Sequence, residues 1–438
     1  MADESLTVAA LQRAAIPLSD DEALEAVVER LRDADTVLLG EATHGTHEFY
    51  AIRAALSRRL VASHGFDAIA AEADWPDALQ VARYVQRRSA ARDVDEALAA
   101  FQRFPQWMWR NRETRDFVGW LREHNDARDD VHRVGFFGLD LYSLHASMQA
   151  VLRYLQRTDP EAARAARRRY DCFDGLAADP QRYGYAAHFG VGRDCEREVL
   201  EQLDAMFAAG RGEAADEAFY ARQNARVVAG AERYYRTMFE GSTASWNLRD
   251  THMAGTLQAL REHLAARLGR PPRIVVWAHN SHVGDARGTA FGARGELNLG
   301  QLVRERPHDF GRAVLLGFST HAGTVAAASD WDEPVELKRV RPSLPGSIER
   351  LMHATGLARF LLPLDGEAAR RLDAVRLQRA IGVIYRPDTE RLSHYFDVRL
   401  PRQFDLLLHV DETHAVVPLD APGHWPVPAQ PETFPSGL

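Results

Sequence analysis

Thr36-Val37-Leu38-Leu39-Gly40-Glu41-Ala42-Thr43-His44-Gly45-Thr46-His47-Glu48 is the stretch that decides how the rest of the chain is read. Its first half is short, apolar and β-prone, Gly40 breaks it, and a helical pattern from Glu48 to His64 follows. A run of this kind, bounded by a turn and followed by a helix, reads as a buried parallel strand feeding a crossover helix. The same grammar recurs at Ala68 to Ala71, Val134 to Gly138, Ile274 to Trp277, Ala313 to Gly317, Ile381 to Tyr385 and Phe404 to Val410. Helical patterns lie between the early runs, at Asp77 to Arg87, Thr114 to Asn125 and Leu144 to Gln156. Alternation of this sort predicts an α/β fold with a mostly parallel central sheet flanked by helices.

Residues from about 159 to 268 depart from that rhythm, being rich in Ala, Arg and Glu with no convincing strand, and read as a large helical insertion. No Gly/Ser-rich or Pro-rich linker sets it apart, so residues 1–438 are expected to form a single domain. The end of the chain, from about 420 to 438, holds five prolines and is expected to be an extended tail.

The polar residues collect where such a fold binds ligands. Glu41 to Glu48 follow the first strand, Glu72-Ala73-Asp74-Trp75-Pro76-Asp77 the second, Leu139-Asp140-Leu141-Tyr142 the third, and Ala278-His279-Asn280-Ser281-His282 the fourth. In open α/β sheets the crevice lies at the carboxyl ends of the strands, so four such segments converge on one rim. His44, with Glu41 three residues before it, has the chemistry of a general base oriented by a carboxylate. The spacing His44-x-x-His47, repeated in His279-x-x-His282, leaves a metal site as an alternative, although no HExxH helix accompanies it. Arg53 and Arg249 could stabilise an oxyanion or anchor a carboxylate. Among the aromatic residues, Trp120 reads as core, while Trp75 and Trp107 are candidates for lining a pocket.

Composition removes other classes. A net charge of -8 speaks against a nucleic-acid partner. Lys338 is the sole lysine, which with 54 basic residues leaves 54 − 1 = 53 arginines and no lysine in a Schiff-base or P-loop setting. Gly317-Phe318-Ser319-Thr320-His321 opens like a nucleophile elbow but lacks its closing glycine, and no glycine-rich dinucleotide or phosphate loop is present, so no cofactor is expected. Cys172 and Cys195 form no CxxC pair, so a disulfide framework is not expected and a reducing compartment fits. With neither a leader nor a membrane span visible, the expectation is a cytoplasmic protein with no membrane partner.

Taken together, Leu39 to Gly45, Glu72 to Pro76, Phe137 to Asp140, Trp246 to Met253 and Val276 to His282 make the chain resemble the erythromycin esterase family, and its Phe104 to Arg110 stretch resembles the broader branch of that family. The resemblance implies metal-independent hydrolysis of a macrolide-type lactone or another ester, with a link to antibiotic resistance. It implies His44 as the base and Glu41 as its partner, with Glu72 and Arg53 among the polar site residues. His279 and His282 would orient water or stabilise the oxyanion, and Asp74, Trp75, Trp107 and Arg249 are expected to contact substrate. Two alternatives use the same residues: a metal-dependent hydrolase, and a ligand-binding protein without catalysis.

Overall fold

The computed structural model describes residues 2–173, 180–188, 195–208 and 215–420. Its strands are β1 (Ile16–Pro17), β2 (Thr36–Leu39), β3 (Ala68–Asp74), β4 (Gly135–Asp140), β5 (Ile274–Trp277), β6 (Ala313–Ala327), β7 (Glu336–Val340), β8 (Arg359–Pro363), β9 (Arg376–Arg379), β10 (Tyr395–Val398) and β11 (Leu406–Thr413). One sheet runs in the order β1-β8-β11-β6-β2-β5-β3-β4, with β7 on the distal part of β6 and β9 paired with β10 apart from it. Neighbours from β11 to β4 are parallel, while β1, β8 and β7 join antiparallel. The chain thus has the expected α/β architecture, a mostly parallel central sheet flanked by helices.

Alternation along the strands explains why helices cover both faces. Val37, Leu39, Ile69, Ala71, Val275 and Trp277 join one core with Leu56 and Leu60 of helix His47–His64 and Phe117 and Leu121 of helix Arg112–Asp126. Leu38, Ala68, Ala70, Ile274 and Val276 point the other way, onto Leu257, Leu260 and Leu264 of helix Ser242–Leu268. Burying both faces requires the near-continuous apolar runs seen in the sequence. Register then sets the site: Leu39 lies beside Leu316 and Trp277, and Trp277 beside Ala71, so the turns after β2, β3 and β5 leave the sheet at one level.

Two expectations are corrected. Ile381 to Tyr385 is not a strand. It makes isolated bridges, Thr43 with Ile381 and Ala328 with Ile384, because it is divided between the His44 turn and the end of β6 instead of running along either. Cys172 and Cys195 are joined in a disulfide, their Cα atoms 5.8 Å apart. The packing of helices Pro160–Tyr170, Glu196–Ala208 and Ala215–Thr237 brings the two cysteines together, which their spacing in sequence does not reveal. The argument for a reducing compartment from unpaired cysteines falls with it.

The helical stretch from 159 to 268 divides by packing. A separate apolar cluster begins at Leu144 and ends at Tyr235, whereas helix Ser242–Leu268 lies on the sheet. The tail beyond Asp420 lies outside the described residues. Among the described residues, no helix is long and apolar enough to cross a membrane.

Candidate active site

The turn after β2 is held by close backbone approach. A Cβ at Gly45 would fall 1.9 Å from the Ala326 carbonyl oxygen of β6, and the Gly45 carbonyl accepts from both Ala326 N–H and Val416 N–H. Space, and not an unusual backbone conformation, is what requires glycine there. This clamp fixes His44. Its Nδ1–H donates to Glu41 Oε1 (2.8 Å), and Arg53 Nη2 donates to the other carboxylate oxygen (2.6 Å). Glu41 and Arg53 are fully buried, with the guanidinium 4.4 Å from the Tyr50 ring centre and 5.1 Å from that of Trp277. The carboxylate therefore directs the proton of His44 to Nδ1 and leaves Nε2 as the basic nitrogen. Nε2 makes no hydrogen bond to a described residue.

A second, ionic group comes from the ends of β3 and β4, the turn after β5 and helix Ser242–Leu268. Arg249 donates from Nη2 to Glu72 Oε1 (2.8 Å) and from Nε to Asp140 Oδ1 (3.0 Å), while the His279 backbone N–H donates to Glu72 Oε2 (2.8 Å). His282 donates from Nδ1 to Asp250 Oδ2 (2.9 Å) and lies flat against Trp246, ring centres 4.6 Å apart. Its Nε2 sits 3.2 Å from Glu72 Oε1 and 3.0 Å from Arg249 Nη1. A neutral ring would accept from the arginine; a protonated one donates to the carboxylate. Charge decides for the latter: burial opposes the imidazolium, but Asp250 and Glu72 raise its pKa to about 9. Burial pushes the Asp250 carboxyl up as well, yet donors from Leu299 N–H and His282 keep it the anionic partner. Glu72 is held well below the usual carboxylate range, because His282 and Arg249 outweigh its burial.

His279 differs from both other histidines. It caps the short helix Asn280–Val283, its Nδ1 accepting from Ser281 N–H (3.3 Å) and lying 2.8 Å from the Ser281 hydroxyl. Burial first, and then the His44 ring, force its pKa well below the ordinary histidine value. Its ring centre is 4.7 Å from that of His44. The Ala42 carbonyl favours a proton on this ring, but Nε2 is buried without a partner in hydrogen-bonding geometry.

All of this borders one cavity of about 810 Å³. His44, Glu72, Asp74, Arg249, His279 and His282 line it. Asp74 accepts from Arg103 Nη1 (2.9 Å), and its carboxyl is raised by burial. Three expectations need correction, and one alternative loses its support. Trp75 is buried against Phe137, Phe219 and Tyr220, because it opens its helix on the face turned to the sheet. Trp107 is buried in the core on the opposite face, and its neighbours Met108 and Trp109 border the cavity instead. Arg53 lies behind Glu41 and not on the cavity wall, so it cannot meet an oxyanion. His47 turns to Glu113 (2.6 Å), so the first His-x-x-His spacing does not form a ligand pair. Among the described residues, no three His, Cys, Asp or Glu side chains gather as a metal site requires.

Sequence reasoning passed over Asp140, Asp250, Ser281 and Asp77 as site residues. Asp140 and Ser281 stood inside the quoted rim segments and Asp250 followed Arg249, but nothing local told them from ordinary surface groups. Asp77 borders the cavity with its carboxyl raised to about 8, by burial and by Asp74.

A parallel α/β sheet carrying histidines and carboxylates around a cavity at its strand ends defines an α/β protein with the makings of a hydrolytic centre. A sequence profile of the erythromycin esterase family matches residues 61–413, and the chain belongs to that family, which points to a hydrolase. The matched span begins after the His44 turn. Among solved structures, the chain is similar to a succinoglycan biosynthesis protein (TM-score 0.75, 20% identity, 95% of this chain and 99% of that one). It is also similar to a protein from Bacillus cereus (TM-score 0.72, 19% identity, 95% and 99%). A mutant of the erythromycin esterase EreC in its open conformation matches with TM-score 0.64 and 17% identity, over 90% and 94% of the two chains. At these identities the likeness is one of fold.

Proposed function

We propose that this protein hydrolyses a carboxylic ester or lactone by direct attack of water activated at His44. The observation that carries this reading is the ordered chain Arg53–Glu41–His44, which ends on an unpartnered Nε2 at the cavity. His44 takes a proton from water, and the hydroxide adds to the ester carbonyl carbon. Collapse of the tetrahedral intermediate breaks the bond to the alkoxide oxygen, which receives the proton from His44, yielding an acid and an alcohol. Glu41 offsets the charge that His44 carries meanwhile. Arg249, whose Nη1 has no acceptor once His282 is protonated, supplies the positive charge for the oxyanion; His282 spends both its N–H groups on Asp250 and Glu72, and neutral His279 adds no repulsion beside the base.

Phe104, Trp109, Trp331, Leu392 and Phe396 border the cavity as well, and Trp331 and Leu392 are exposed at it. This apolar border supports a small-molecule partner with a bulky apolar body. Macrolide-type lactones are one such class, and a part in antibiotic resistance would follow from their turnover. The test is a set of lactones and esters followed by mass spectrometry in labelled water, with the parent and His44→Asn. We expect label in the acid product, no covalent acyl-enzyme, and loss of turnover in the variant. Hydrolysis retained by His44→Asn would overturn the assignment.

A further inference from the structure

Two histidines side by side in one cavity raise a question of proton placement: if both can take the proton from water, neither is a defined base. His44 and His279 are 4.7 Å apart between ring centres, and both border the cavity. For His44 the answer lies in Glu41, which draws its proton to Nδ1. For His279 no carboxylate touches the ring. Glu72 bonds the His279 backbone instead.

What touches the ring is Ser281. Its backbone N–H points at His279 Nδ1 (3.3 Å) and its hydroxyl lies 2.8 Å from the same nitrogen. An N–H can only donate, so Nδ1 carries a lone pair, and the hydroxyl donates to it too. The single proton of the neutral ring is therefore on Nε2, the nitrogen that is buried without a partner. The Ala42 carbonyl favours a proton on this ring, and the contacts at Nδ1 leave Nε2 to carry it.

We infer that Ser281 is a positioning residue, whose hydroxyl and backbone N–H lock His279 in its Nε2–H form and so reserve the base's role for His44. The inference rests on the reading of His44 as the base. Charge supports it: burial and the neighbouring His44 hold His279 far below the range in which it could accept a proton. The same fact rules out a second use of the pair. A serine nucleophile needs a histidine that takes its proton, and a ring this hard to protonate, already engaged in capping a helix, does not serve.

The experiment compares the parent protein with Ser281→Ala and Ser281→Thr. Nitrogen-15 spectra of labelled histidine, assigned with a His279→Gln control, report which ring nitrogen bears the proton, with no need for turnover. We expect His279 in the parent to show protonated Nε2 and unprotonated Nδ1, unchanged through the range in which an ordinary histidine titrates. Ser281→Ala should show a mixture of Nδ1–H and Nε2–H forms, and Ser281→Thr, which keeps the hydroxyl, should restore the parent spectrum. In turnover, Ser281→Ala should lower kcat about tenfold with KM little changed, and Ser281→Thr should recover it. Identical spectra for parent and Ser281→Ala overturn the inference. An acyl group trapped on Ser281 overturns it in favour of a nucleophile. If the spectra respond as expected while His44→Asn retains turnover, the reading of His44 fails and the tautomer lock stands.

Discussion

Asp250→Asn isolates the charge on His282. In the parent, Asp250 is the largest attraction holding a proton on that ring, whose pKa stands at about 9 against an ordinary 6.5. At ~1.4 kcal/mol for each tenfold in proton affinity, this elevation represents about 3 kcal/mol of stability. The sign follows from proton binding: the folded ring holds a proton that the unfolded one has lost, so the contribution is complete below about pH 6.5 and disappears as pH rises through about 9. Asparagine removes the negative charge but keeps the size and leaves one oxygen to accept from Leu299 N–H. Urea unfolding from pH 6 to 10 should therefore show the variant about 3 kcal/mol less stable near neutrality, with the gap closing above pH 9. Nuclear magnetic resonance of the histidine ring should show its pKa falling towards or below 6.5. A gap that stays constant across that pH range would refute the reasoning, since it would mean that His282 is neutral throughout and that Asp250 acts by packing alone.

Glu41→Gln leaves Arg53 fully buried without its anion, so it should cost about 3–5 kcal/mol in chemical unfolding. The same variant should lower kcat by about 10²–10⁴, and unchanged stability would contradict the buried pair. Asp77→Asn should act in the opposite sense. Burial and Asp74 raise the Asp77 carboxyl from 3.8 to about 8, so the folded parent must keep a proton that the unfolded chain gives up, and its stability declines as pH rises from about 4 to 8. The asparagine variant lacks that decline and should gain on the parent across this window, as thermal melts at pH 5 and pH 8 would show; equal melts at both would count against the raised carboxyl.

Much of this protein is written locally in its chain. The apolar runs that became β2, β3, β4, β5, β6 and β11 declare themselves because strands covered on both faces admit few polar residues. The shared rim is legible for the same reason: polar segments that directly follow such strands have only one end of the sheet to go to. Glu41 and His44 are three positions apart, so both partners of their hydrogen bond stand in one short turn. What the chain alone leaves open are relations between distant segments. Trp75 and Trp107 look alike as aromatic residues near the rim, and only the direction in which each helix or turn meets the sheet sends both into the core and leaves Trp109 at the cavity. Arg249 is one arginine of many until helix Ser242–Leu268 lays it between Glu72 and Asp140, turns 177 and 109 residues away. Cys172 and Cys195, 23 positions apart, join because helices Pro160–Tyr170, Glu196–Ala208 and Ala215–Thr237 pack together. The protonation of the three histidines draws on both. His44 and His279 take a carboxylate and a serine from their own turns, whereas only the tertiary structure buries the rings together and brings Asp250 and Glu72 to His282, so one can serve as base, one stays neutral and one holds a charge.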